Sequence, residues 1–142
     1  MSRKTNNSSL EISQERLKNK VMAKFQAAGV EAVLTPGLFP SIVKHTANAT
    51  DFMCLYCFIW NYLNFPAGAV PITRVRASEQ EYQSDRPDKI SKAIGENMKG
   101  SEGLPMGVQV VGFPWREEVV VEVMKVIEAG ADKDLAWNGN MS

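Results

Sequence analysis

Few residues in this 142-residue chain have the types and spacing that could do chemistry. Cys54 and Cys57 form a C-x-x-C, the spacing of a redox dithiol. Such a pair works at an exposed helix start, where the dipole lowers a thiol pKa. Here it lies inside the apolar run FMCLYCFIW, so two buried core thiols are the better reading. Lys99-Gly-Ser101-Glu-Gly103 brings lysine, serine and glycine together, but without the G-x-S-x-G spacing of a nucleophile elbow. Ser8-Ser9 follows Asn6-Asn7 in a polar stretch with no glycine to open an oxyanion hole, and a capping role accounts for it. A Ser-His-Asp relay would need His45, the single histidine, in a loop between Lys44 and Thr46; a solvated loop histidine is the simpler account. No catalytic residue is assigned from these patterns. One histidine and two cysteines fall short of the four ligands of a structural zinc site, so no metal is expected and no cofactor is called for.

The elements that would position these residues follow from the hydrophobic pattern. Ser8-x-x-Glu11 reads as a capping box opening a helix, with Leu17, Val21, Phe25 and Ala28 on one face and Gly29 as its stop. Val30 to Thr35 reads as a short buried strand ending at Pro36-Gly37. A second helix is expected from about Asp51 to Leu63 with Thr50 as N-cap; being apolar nearly all round, it should be buried on several sides. Pro66-Ala67-Gly68 then turns the chain into a strand over Ala69 to Val75. Pro71 cannot donate a ladder hydrogen bond, which predicts an edge or a bulge there. A short helix begins near Pro87 with Ile90, Ala93, Ile94 and Met98 in one stripe. A strand follows over Met106 to Phe113, then a last helix over Arg116 to Ala129. Strands alternating with helices favour an α/β layer with some parallel pairing.

Composition sets the outer bounds. Hydrophobic residues make up 44% and charged residues 23%, a globular balance in a chain of one-domain length. Lys+Arg and Asp+Glu are equal at 16 each, which gives no basic excess for a nucleic-acid partner. The polar N-terminus MSRKTNNSSLE has no apolar h-region, so the expected location is intracellular, cytoplasmic or peripheral to a membrane, and not secreted. The apolar stretch Phe52 to Val70 is broken by Asn61, Asn64, Pro66 and Gly68 before it reaches the ~20 residues of a membrane span.

Four blocks carry a family resemblance. Asn61-Tyr-Leu-Asn-Phe-Pro-Ala-Gly-Ala-Val-Pro71 is similar to the N-x-x-[DN]-F-P-A-G-x-V-P run of amidase-signature enzymes, and Gly103-Leu-Pro-Met-Gly-Val-Gln109 to their G-L-P-x-G-x-Q run. Val33-Leu-Thr-Pro36 matches the V-L-x-P strand end, and Phe113-Pro-Trp-Arg-Glu-Glu118 resembles the run that opens the last helix in fatty-acid amide hydrolases. Order and spacing agree over most of the chain. The polar stretch between the two central motifs, with the Pro-Trp block, places the resemblance closest to the fatty-acid amide hydrolase branch.

The resemblance implies the C-terminal part of an α/β/α mixed-sheet fold, an incomplete domain. Residues 1–7 would be a disordered tail, 8–129 the partial amidase-signature domain, and 130–142 a second disordered tail. The family hydrolyses amides through a Ser-Ser-Lys triad that precedes the matched region, which implies a chain inactive alone. It implies an acyl-pocket wall at Cys54 and Phe58, with core packing an equal alternative. Asn61, Pro66, Gly68, Gly103, Pro105, Gly107 and Gln109 read as scaffold: glycines and prolines for turns and close approach, buried amides that require partners. A lipophilic amide would be a ligand only of the complete enzyme, and peripheral membrane contact has little support in these residues. Removing the rest of a shared sheet leaves edges open to self-association or a partner chain. Uncovering about 1,000 Å² of apolar surface would forfeit roughly 25 kcal/mol of gross stabilisation, more than the ~5–15 kcal/mol net stability of a domain. A non-catalytic interaction protein that pairs through those edges is the alternative function.

Overall fold

A computed structural model describes residues 3–37, 55–82, 84–85 and 88–131. Helix α1 (Arg3–Ala27) starts before the expected cap at Ser8. The helix ends as the sequence requires. The Val30 N–H donates to the Phe25 carbonyl (2.9 Å) and the Gly29 N–H to that of Gln26 (3.1 Å), with Gly29 left-handed at φ 66. This Schellman pair satisfies two orphan carbonyls and turns the chain into strand β1 (Ala32–Pro36).

Helix α2 (Leu55–Leu63) ends in the same way with a different residue. The Phe65 N–H donates to the Trp60 carbonyl (3.0 Å) and the Asn64 N–H to that of Asn61 (3.2 Å), with Asn64 at φ 55. The Trp60 and Phe65 rings, 5.8 Å apart, supply the apolar contact that accompanies this cap. Strand β2 (Ala67–Arg74) follows at once, so the Pro-Ala-Gly segment enters the strand rather than preceding it. β2 is an edge strand, and its register shifts between Pro71 and Thr73. Proline therefore occupies the edge and borders the bulge, the two places where its missing N–H is tolerated.

After a short 3₁₀ turn (Ala77–Glu79) comes helix α3 (Lys89–Met98). Its N-cap Asp88 accepts from the Ser91 N–H at 2.7 Å. Pro87, where the sequence places the start, lies outside the described residues. Strand β3 (Pro105–Gly112) and helix α4 (Glu117–Gly130) complete the order.

The sheet runs β1-β3-β2 and both described pairings are antiparallel. The expected parallel pairing is not found among the described strands. β1 and β2 do run the same way, but β3 returns between them and separates the two. The result is helix and antiparallel sheet in layers, a partial α/β fold. The second half of central β3, from Gln109 to Gly112, is buried on both faces. Val111 packs with Leu63 and Phe65 beneath Val21, Met22, Phe25 and Trp60, while Val110 packs with Val70 and Val120 beneath α4. Successive strand residues point to opposite faces, so Val110 and Val111 anchor one core each.

The cover stops short of the sheet and of α2. Leu34 on β1, and Tyr56, Phe58, Ile59 and Tyr62 on α2, are all exposed. The expectation that α2 is buried on several sides is not met within the described residues, because only its Trp60 and Leu63 side packs on the core.

Candidate functional site

The two central motifs meet across the β2–β3 ladder, and their glycines set backbone distances. Pro71 pairs with Gly107, and a Cβ on Gly107 would lie 2.5 Å from the Val70 carbonyl oxygen. A Cβ on Gly68 would overlap the Met124 sulfur, and one on Gly112 would reach Val120 Cγ2 at 2.5 Å. Gly68 and Gly112 thus let α4 settle on the sheet, and Gly107 lets β2 close on β3. Gly103 is left-handed at φ 78 and donates to the Val75 carbonyl at 2.9 Å, while its own carbonyl accepts from Arg74 Nη1 at 2.8 Å. Pro105 opens β3 opposite Arg74, and the Pro66 carbonyl accepts from Gly112 at 3.0 Å.

The polar motif residues differ in their surroundings. Gln109 is buried on β3, and its Oε1 accepts from Thr35 Oγ1 of β1 at 3.1 Å, the partner that a buried amide requires. Asn61 and Phe58 lie on the exposed side of α2, Phe58 with 53% of its surface accessible. Cys57 is half-buried and its thiol donates to the Gly37 carbonyl at 3.2 Å. Cys54 and His45 lie outside the described residues.

The Lys99-Gly-Ser101 segment is not arranged for nucleophilic attack. The Ser101 hydroxyl is fully buried and donates to the Met98 carbonyl at 2.5 Å, which closes the end of α3. A serine held in that way has neither a base beside it nor access to a substrate. Lys99 is exposed. Ser9 lies within α1, where its carbonyl accepts from Ser13 Oγ. Among the described residues no group of three metal-ligating side chains occurs, and no helix is long and apolar enough to cross a membrane.

Two relationships escaped the sequence reading. Asn64 holds the left-handed position that ends α2, a role signalled by its place just after an apolar helix and before Phe-Pro. Thr35 as the partner of Gln109 had no local signal, because the two residues are far apart in sequence.

An antiparallel sheet with helices on both faces, and motif glycines that set its spacing, give this chain a layered α/β scaffold. It is an amidase segment of the fatty-acid amide hydrolase type. The chain is 34% identical over 118 residues to fatty-acid amide hydrolase 1 of Sus scrofa, a match covering 80% of the chain and 20% of that relative. It is also 34% identical over 100 residues to fatty acid amide hydrolase 1 of Caenorhabditis elegans, covering 68% of the chain and 17% of the relative. The chain therefore matches about a fifth of the length of these curated relatives. A solved structure of fatty acid amide hydrolase superposes with a TM-score of 0.72 at 19% identity, over 87% of this chain and 22% of that one. No family model matches the sequence.

Proposed function

We propose that the chain is the C-terminal, scaffold-bearing part of an amide hydrolase that acts on lipophilic amides. Its described residues contribute three strands and four helices to a larger amidase-signature domain, with Phe58, and by resemblance Cys54 outside the described residues, in the wall of an acyl pocket. The nucleophilic serine, bridging serine and lysine of such an enzyme come from outside these residues. The observation that carries the reading is α2 itself. Tyr56, Phe58, Ile59 and Tyr62 are exposed on a helix whose other side is core, which suits a helix with a further layer or a ligand against it. Similarity to fatty-acid amide hydrolases supplies the substrate class.

A chimera tests this directly. The chain replaces the matching 118 residues of the Sus scrofa enzyme, and hydrolysis of a long-chain fatty-acid amide is measured. The chimera should turn over the amide, the chain alone should not, and Phe58→Ala in the chimera should change the preferred acyl length. A folded chimera without activity would count against the reading.

A second reading rests on the sheet edges. β1 and β2 each pair with β3 alone, which leaves two edges open among the described strands. A non-catalytic protein could use those edges to pair with a partner chain or a second copy. Sedimentation showing a partner-dependent complex, together with an inactive chimera, would favour it.

A further inference from the structure

Phe113, Pro114, Trp115 and Arg116 form a turn closed by the Arg116 N–H on the Phe113 carbonyl at 3.0 Å. Proline at its second position and φ 66 at Trp115, its third, make it a type II turn. That third position ordinarily belongs to glycine or asparagine. Tryptophan there carries the Cβ clash that glycine escapes. Burial does not offset the strain, because Trp115 is 89% exposed. An indole that strains its own turn and leaves its surface in water contributes nothing evident to this fold.

The turn borders a groove of about 500 Å³ between the end of α1 and the start of α4. Met22, Val30, Phe113 and Val119 give it an apolar lining, and Glu31 and Arg116 are its charged residues. Arg116 Nε is held by Glu118 at 2.8 Å, whereas Glu31 enters no ion pair among the described residues. The groove therefore combines an apolar floor, a carboxylate with no ion pair among the described residues and an exposed indole on the turn beside it.

We propose that Trp115 and this groove dock a protein segment that presents a lysine or arginine next to an apolar side chain. The apolar group enters the groove. The cation meets Glu31 and the indole face, an arrangement that combines ion pairing with cation–π attraction. The Glu31 carboxylate disfavours an anionic lipid surface, which attracts basic clusters. This proposal does not depend on amide hydrolysis, and its test reads binding and melting alone.

The probe is a short peptide of alternating leucine and lysine, with its leucine–glutamate counterpart as control, titrated against the full chain. The Trp115 indole N–H is followed by NMR and assigned by its loss in Trp115→Gly. The lysine peptide should shift this resonance saturably, and the glutamate peptide should not. Trp115→Gly, whose affinity is read by titration calorimetry because the indole resonance is gone, should weaken binding about tenfold or more, as loss of a tryptophan anchor does. It should also raise the melting temperature, because glycine suits the turn. Trp115→Asn, which also tolerates positive φ, should behave alike, and Glu31→Gln should weaken binding several-fold. Equal binding of the two peptides, unchanged affinity in Trp115→Gly or a lowered melting temperature in that variant would overturn the proposal. So would a Trp115 response to phosphatidylserine vesicles but not to the lysine peptide.

Discussion

The carbonyl oxygen of Val70 stands 2.5 Å from the point that a Cβ on Gly107 would occupy, with Pro71 Cα at 3.2 Å. Both obstacles are backbone, so neither can rotate away. The FPAGAVP and GLPMGVQ motifs touch at this point, and strand pairing fixes the second glycine of GLPMG.

Gly107→Ala should accordingly destabilise the chain by about 1–3 kcal/mol, the usual effect of forcing a methyl into a packed site. Gly68→Ala should cost less, because the obstacle is the flexible Met124 thioether. Urea midpoints of the two variants, compared at equal m-value, give the order. A larger loss at Gly68 would contradict the assignment.

Asn64 at φ 55 makes a second prediction. Asn64→Ala places a side chain without a polar end in the left-handed region and should destabilise by roughly 1 kcal/mol. Asn64→Gly should leave stability unchanged or raise it. Thermal melts of the pair test the cap directly, since the two substitutions remove the same amide and differ in backbone freedom.

Thr35 and Gln109 make a third. Thr35→Val keeps the shape but removes the hydroxyl that donates to buried Gln109 Oε1. The unpaired amide oxygen should cost about 1–3 kcal/mol, and Thr35→Ser should recover much of it. Hydrogen exchange of the β1–β3 amides would show where the loss falls.

Much of this organisation was legible from local pattern. The strand at Met106 to Phe113, the helix over Arg116 to Ala129, the stop at Gly29 and the placement of Pro71 follow from periodicity and from what glycine and proline permit. Strand direction was not legible: alternation of helices and strands says nothing about which strand inserts between two others, and β3 reversed the expected pairing. Nor was the exposure of α2, because an apolar helix reads as buried whether or not its cover belongs to the described residues. The Thr35–Gln109 bond joins distant strands and had no local trace. Trp115 was legible only as part of a Pro-Trp block, because tryptophan is not a residue type that signals positive φ.

The fourth prediction concerns pH. Hydrogen bonding to its own backbone N–H, and then to Arg116, holds the exposed Glu118 carboxyl below its ordinary range. A carboxyl whose pKa is lowered by folding stabilises above its unfolded value and loses that contribution as pH falls through its folded one. The stability difference between wild type and Glu118→Gln, measured by urea unfolding, should therefore be present at neutral pH and vanish in acid. A difference that grew on acidification would reverse the sign and contradict the assignment.

In the proposed reading these residues carry amidase scaffold, and the nucleophile comes from outside them. Fluorophosphonate labelling of the purified chain, read by intact mass and peptide mapping, tests it most directly. No serine adduct above that of the denatured chain is expected, and Ser101 should stay unmodified in its hydrogen bond to the Met98 carbonyl. A stoichiometric adduct on Ser101, abolished by Ser101→Ala while the fold persists, would contradict it.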